Sequence, residues 1–202
     1  MPAPTPDPKL RLMTSTDNDL LVDKIGRGFD HLDADGDGLL DERDHVLMGK
    51  RVAAALGHGP GSPEEERIVG MYVRVWHDVH LPHLPAGTTA IGRAGFIAAT
   101  RDLADDPAAA DATLGAIARE FLRIADIDAD GRVTPAEFLT FQRGHFPGLS
   151  DEDAAAAFEH LDTDGDGSLS PEEFIRATVE YWTSTDPDSP ANWWIGRPRP
   201  TA

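Results

Sequence analysis

Apolar residues recur along this chain every three or four positions, in stretches broken by short acidic segments. Leu21, Ile25, Phe29 and Leu32 share one face of a helix expected over residues 17–32. A second helix is expected over 41–56, stopped by Gly57-His58-Gly59-Pro60. Ser62-Pro63-Glu64-Glu65 reads as cap, first-turn proline and capping-box acid, opening a helix that carries Ile68, Met71, Tyr72, Val75 and Trp76. Further helices are expected over 93–103, from Asp111 to Ala125 with Leu114, Ile117, Phe121 and Leu122 facing in, up to about Gly144, over 151–161 after the Ser150 cap, and over 171–182. The pattern predicts about eight helices and four very short strands.

Three of the breaks share one spacing. Asp33, Asp35 and Asp37, then Asp126, Asp128 and Asp130, then Asp162, Asp164 and Asp166 place carboxylates at positions 1, 3 and 5 of a loop. Gly38, Gly131 and Gly167 follow at position 6, where the chain must turn sharply and a Cβ is a penalty. Leu39, Arg132 and Ser168 stand at position 7, which offers only its backbone carbonyl; Asp41, Thr134 and Ser170 stand at position 9, and Asp44, Glu137 and Glu173 close the loop at position 12. Alternate inward oxygens with a closing acid suit a hard divalent cation that takes about six to eight oxygens. Thr134-Pro135-Ala136-Glu137 and Ser170-Pro171-Glu172-Glu173 are also helix starts, so each closing acid sits in the first turn of a helix. This is the EF-hand arrangement of helix, loop and helix. Three copies, each with an apolar residue at position 8 (Leu40, Val133, Leu169), leave solvated turns little room as an explanation.

The first loop departs from the others. Asp44 is one methylene shorter than glutamate and reaches a metal less easily with both oxygens. The expectation is three Ca2+ sites, with Mg2+ competing most at the first. EF-hands pair through the strand around position 8, and the first loop needs a partner. Ile91-Gly92-Arg93-Ala94-Gly95-Phe96 keeps the register of Val133 to Phe138, but Leu84, Ala86, Thr88, Ala90, Gly92 and Gly95 at the ligand places carry no carboxylate. It reads as a silent second hand.

Composition narrows the function. The chain has 202 residues, 18 basic and 36 acidic, for a net charge of −18, which argues against nucleic acid and anionic membranes. Thirteen of the acids stand at the ligand places of the three loops. There is no cysteine, hence no disulfide or thiolate metal site. No apolar run reaches the length of a membrane span, and the Pro-rich start Met1-Pro2-Ala3-Pro4 is not a signal peptide; a cytoplasmic protein is expected. Lysine is rare beside fifteen arginines, which fits a GC-rich genome. The boundaries are read as a proline-rich arm at 1–14, a first pair of hands at 15–104, a second at 105–182, and a tail at 183–202. The tail turns from polar to aromatic at Asn192-Trp193-Trp194-Ile195, and Trp193 or Trp194 is expected to fold back into a cleft between the pairs; a docking tail for a partner is the alternative.

Active hands one, three and four, a silent second hand and the tail Asp186-Pro187-Asp188-Ser189-Pro190-Ala191-Asn192-Trp193 resemble calerythrin and the sarcoplasmic calcium-binding proteins, a family with bacterial members. The resemblance spans about residues 15–196. It implies an all-α fold, four EF-hands in two pairs packed as one compact globule with short β-bridges between paired loops. It also implies a calcium buffer or signal modulator; a monomer and no enzymatic activity are expected. A sensor regulating a partner protein would show a Met-rich groove; beyond Met1, only Met13, Met48 and Met71 are present, unclustered, so a buffer is favoured. Calcium-triggered photoproteins and luciferin-binding proteins share the layout and need a cavity lined by polar aromatics, to which Tyr72, Trp76, Tyr181, Trp182 and Trp193 could contribute; the reading in which these rings are core is preferred. His77, His80 and His83 hint at zinc, but Pro82 interrupts their helix. No nucleophile–base arrangement or phosphate loop stands out.

Overall fold

The computed structural model describes residues 16–84 and 86–198. The expected arm at 1–14 lies outside the described residues.

Each loop hands the chain from one helix to the next. Helix α1 (Thr16–Leu32) ends where Asp33 N–H donates to Phe29 O at 2.9 Å, and the first loop leads through strand β1 (Leu39–Leu40) into α2 (Glu42–Ala55). Asp41 caps α2, and its box is completed by Asp44. Helix α3 (Pro63–Val75) starts on the Ser62 cap. It then widens into a π-helical turn (Trp76–His80) and tightens into a 3₁₀ turn (Leu81–His83). Strand β2 (Ile91–Gly92) precedes α4 (Arg93–Ala104).

The helix expected from Asp111 begins earlier. Asp106 accepts from the amides of Ala108 and Ala109, and Pro107 takes the first helical position, giving the short α5 (Pro107–Ala110). A π-helical turn (Asp111–Gly115) joins it to α6 (Ala116–Ala125). The acid–proline pair is a start signal rather than the break it resembles. Helices α7 (Pro135–His145), α8 (Asp151–Leu161) and α9 (Pro171–Thr183) follow, and a 3₁₀ turn (Pro190–Trp193) shapes the tail.

The four expected strands are fewer. Among the described residues, β1 pairs antiparallel with β2, setting Leu40 opposite Ile91, and the second pair of loops has one bridge, Val133 with Leu169. The Val133 and Leu169 amides exchange bonds of 2.9 and 2.8 Å.

The fold is all-α, and its hands share cores. Met48, Val52, Ile68 and Tyr72 from the first half join Phe121, Phe138, Phe141, Phe174 and Tyr181 from the second in one buried cluster. A smaller cluster holds Leu21, Ile25, Phe29, Trp76 and Phe96 and is closed by Trp182. Two glycines mark close helix contacts. A Cβ on Gly49 would stand 2.7 Å from Val69 Cα, and one on Gly144 would stand 2.6 Å from Val52 Cα. Helix α2 therefore lies backbone-close to both α3 and α7.

Candidate metal centres

In each loop the backbone folds around its own carboxylates. Asp33 accepts from the Gly36 and Gly38 amides, both at 2.9 Å. Asp126 accepts from Asp130 and Gly131 at 3.1 and 3.0 Å, and Asp162 from Asp166 and Gly167 at 3.1 and 2.9 Å. The acids at position 3 take the position-5 amide: Asp35 from Asp37, Asp128 from Asp130, Asp164 from Asp166. The acids at position 5 take the position-7 amide, so Asp37, Asp130 and Asp166 hold Leu39, Arg132 and Ser168 at 2.8, 2.8 and 3.0 Å.

The closing acids fasten each loop at both ends. Asp44 accepts from Ala34 N–H and Asp41 N–H, each at 2.8 Å. Glu137 accepts from Ile127 and Thr134 amides at 2.9 and 2.8 Å, and Glu173 from Thr163 and Ser170 amides at 2.9 and 3.0 Å. Thr134 Oγ1 and Ser170 Oγ also donate to Glu137 and Glu173, at 2.7 and 2.9 Å.

Three groups of carboxylate oxygens result: Asp33, Asp35 and Asp44; Asp126, Asp128 and Glu137; Asp162, Asp164 and Glu173, each with atoms within 4.8 Å of one another. Two oxygens on opposite sides of a calcium ion, at about 2.3–2.6 Å each, stand about 4.6–5.2 Å apart. The donor sets therefore fit a hard, oxygen-liking cation of that size. Positions 1, 3 and 12 converge. The position-5 acids and Asp41, Thr134 and Ser170 at position 9 belong to turns and caps at the rim. No group among the described residues contains a histidine. His77 is exposed and pairs with Glu42 at 3.0 Å, while the His80 ring lies 5.2 Å from His45, so these two histidines are not brought together as ligands.

Electrostatics separates the closing acids. Burial pushes the Asp44 carboxyl up, and the amides of Asp41, Ala34 and Asp35 only partly offset this. Burial also raises Glu137 and Glu173, but their hydrogen bonds win; those from Ser170 and Thr163 hold Glu173 down at about 2.

Three features escaped the sequence reading. Position 4 of each loop is left-handed, occupied by Gly36 and Gly165 but also by Ala129, whose φ is 59°. The Asp-x-Asp-Gly-Asp spacing of the other loops was the available signal. Arg132 reaches across the paired loops to Ser168 and Asp166, although position 7 was assigned a backbone role alone. The tail is latched by polar bonds as well as by its indole. Lys24 Nζ donates to Ser184 O at 2.7 Å and to Asn192 Oδ1 at 2.9 Å, Arg27 donates to Ile195 O, and Gln142 Nε2 donates to Trp194 O. Trp194 is 2 % exposed, edge-on to Phe138 and Phe174, whereas Trp193 stacks on His160. Burial lowers Lys24 to about 8.

An EF-hand domain pair model matches residues 117–179, the stretch from α6 through α9. Calerythrin of Saccharopolyspora erythraea is 26% identical over 161 residues, 79% of this chain and 90% of its own. A calcium-binding protein of Streptomyces coelicolor, described in terms of prokaryotic calcium-mediated regulation, is 27% identical with a TM-score of 0.65, covering 81% of this chain and 98% of that one. A calcium-loaded coelenterazine-binding protein of Renilla muelleri has the same fold at a TM-score of 0.73 and 22% identity, over 91% of this chain and 99% of that one. Loop geometry, pairing and the matched domain pair show EF-hands in this chain, and over most of its length it is similar to calerythrin.

Proposed function

We propose that this protein is an intracellular calcium buffer with three active sites, in hands one, three and four. The observation that carries the reading is the convergence of three acids in each of three loops, beside a second hand without a carboxylate at any ligand place. The ligands are Asp33, Asp35, Asp37, Asp41 and Asp44 with the Leu39 carbonyl; Asp126, Asp128, Asp130, Thr134 and Glu137 with the Arg132 carbonyl; and Asp162, Asp164, Asp166, Ser170 and Glu173 with the Ser168 carbonyl. Magnesium competes, most at the first site. Calcium neutralises crowded carboxylates and so locks each entering helix to its exit helix. The paired units are 15–104 and 105–182, with 183–202 closing over them. The protein acts as a cytoplasmic monomer, without nucleic acid or membrane as partner.

Buffering is favoured over sensing because the tail ties α1 to α7 and α9 through Lys24, Gln142 and Trp194, contacts that an opening motion would break. The sensor reading, in which the protein regulates a partner, is favoured by its likeness to the Streptomyces protein. Calorimetric calcium titration of the metal-free protein, with and without magnesium, separates the two. Tight binding that magnesium weakens marks a buffer. Cooperative binding indifferent to magnesium, with a change in Trp194 emission, marks a sensor.

A further inference from the structure

The closing acids of the three loops differ in what stands behind them. Glu173 is held at both ends. Its Oε1 accepts from the Thr163 amide at 2.9 Å and the Thr163 hydroxyl at 2.8 Å, and its Oε2 from the Ser170 amide and hydroxyl at 3.0 and 2.9 Å. A further group stands behind Thr163. Arg176, one turn along α9 from Glu173, donates from Nη2 to Thr163 Oγ1 at 2.8 Å. Arg176, Thr163 and Glu173 thus form a chain of donors that ends on the carboxylate.

The other hands are built differently. Three residues beyond its closing acid the third hand has Thr140, whose hydroxyl is spent on Ala136 O at 2.8 Å, and at position 2 it has Ile127. The first hand has Leu47 and Ala34 at those places. Glu137 receives a hydroxyl bond on one oxygen, from Thr134, and Asp44 is held by amides.

The chain of donors has a direction. A hydroxyl has one proton and two acceptor sites, and a guanidinium only donates. With Arg176 on one acceptor site, the Thr163 proton is left for Glu173, and the positive charge behind it strengthens the donation. Both Glu173 oxygens are then fixed beside Asp162 and Asp164. The carboxylate cannot swing to offer a single oxygen without losing the bonds at one end. Calcium takes about six to eight oxygens in a flexible shell and accepts both oxygens of one acid, whereas magnesium demands a near-ideal octahedron at about 2.0–2.1 Å. A locked carboxylate suits the first ion and resists the second.

We propose that Arg176 is a positioning residue for calcium selectivity: acting through the Thr163 hydroxyl, it locks Glu173 and makes the fourth hand the one of the three that most favours calcium over magnesium. The inference rests on the three-site reading and deepens it at one hand.

The test uses the full chain, stripped of metal and titrated separately with calcium and with magnesium. Each hand is followed by the NMR signal of its position-6 amide, Gly38, Gly131 or Gly167, and the quantity read is the ratio of the two affinities. Arg176 also brings a positive charge near the site, but that charge repels both divalent ions alike and cancels in the ratio. In the unaltered protein the ratio should be highest at the fourth hand. Arg176→Gln should lower it there about threefold, the scale of an exposed charged contact, and leave that of the first hand unchanged. Thr163→Val should lower it about fivefold, the scale of one lost hydrogen bond. With both changes the ratio should fall no further than with Thr163→Val alone, because Arg176 acts only through that hydroxyl. Both residues are exposed, so the variants should keep the fold. In the metal-free protein the Glu173 side-chain couplings should report one rotamer, which either change averages with others. A ratio that Arg176→Gln leaves in place, a fourth-hand ratio no higher than the third's in the unaltered protein, a further fall in the double variant, or Glu173 couplings that neither change moves would each overturn the proposal. A fourth hand that takes up no calcium would overturn the three-site reading itself, and the proposal with it.

Discussion

Asp44 and Glu173 occupy the same place in their loops and meet the same two backbone groups, yet they are driven in opposite directions. Asp44, the shorter acid, reaches the amides of positions 2 and 9 at 2.8 Å, matching Glu173 at 2.9 and 3.0 Å. It does so from deeper in the protein, at 1 % exposure against 5 %. The missing methylene is only part of the difference. Glu173 also receives hydroxyl bonds from Thr163 and Ser170 at 2.8 and 2.9 Å, and Glu137 receives one from Thr134. The first loop has Ala34 and Asp41 at those places. A closing carboxylate is kept ionised and ready for a cation by the hydroxyls beside it, so positions 2 and 9 set the character of position 12.

The coarsest way to test the comparison is to remove the metal. A site at a thousandfold excess of calcium over its Kd adds about 4 kcal/mol to stability, and for a chain of this size each kcal/mol is worth roughly 2–4 °C. Chelation should therefore lower the melting midpoint by about 8–16 °C per occupied site, measured by calorimetry or circular dichroism. Glu173→Gln should remove about one site's share of that loss. If it leaves the calcium-loaded midpoint untouched, the fourth hand does not contribute as argued.

Asp44→Glu is next in size. The longer acid can give both oxygens to a calcium ion, and its affinity at the first site should rise about tenfold, or about 1.4 kcal/mol. Magnesium, which favours six ligands, should gain less. Calorimetric titration of the variant reads this directly, and unchanged affinity would break the comparison. Adding Ala34→Thr supplies the hydroxyl found at Thr163 and should tighten the site further.

Acid sharpens the contrast in the metal-free protein. Glu173 has a folded value near 2, below its ordinary 4.5. It therefore contributes stability that is complete above about pH 4.5 and is lost as pH falls towards about 2. Asp44 lies above its ordinary 3.8, so its ionisation works against the fold as pH rises through the folded value. Glu173→Gln should flatten the acid side of a urea-denaturation profile of chelated protein, and Asp44→Asn should leave that slope in place.

Much of this was readable from residue order. The alternation of acids fixes where the loop oxygens point, and the cap-and-proline starts at Thr134 and Ser170 fix where α7 and α9 begin. Contacts between distant segments were not readable. Nothing in the chain marks Lys24 as the group that grips Ser184 and Asn192, because 160 and 168 residues separate the partners. A cavity between the two pairs of hands was legible only in part: Tyr72 and Trp182 could be named as candidate lining, but its walls are drawn from all four hands, and residue order does not separate a cavity wall from core. The helix expected from Asp111 starts earlier, at Pro107, because an acid before proline can begin a helix as well as end one. The expectation of four strands failed because pairing in the second half stops at one residue on each side.

The two C-terminal loops differ from each other at position 4. Ala129 holds φ 59° where Gly36 and Gly165 hold 76° and 70°. A side chain in this region costs roughly 1–2 kcal/mol, partly offset because glycine is freer in the unfolded chain. Ala129→Gly should therefore stabilise the third hand by up to about 1 kcal/mol, seen as a higher chelated midpoint. A lower midpoint would mean that the surrounding loop, rather than residue 129, carries the strain.

The smallest effect belongs to Arg132. Its guanidinium lies on Asp166, the proposed position-5 ligand of the fourth hand, and both side chains are well exposed. The contact couples the loops in the metal-free protein and places a positive charge beside a cation site. Arg132→Gln frees the carboxylate and removes that charge, so calcium affinity at the fourth hand should rise about two- to threefold, the scale of an exposed ion pair, and more so at low salt. The first pair has no such group, since Leu39 stands at position 7 there, and its affinity should not move. Site-resolved NMR titration of the loop amides distinguishes the two. A fall in fourth-hand affinity would show instead that Arg132 serves the loaded state, holding Ser168 and its carbonyl in place for the ion.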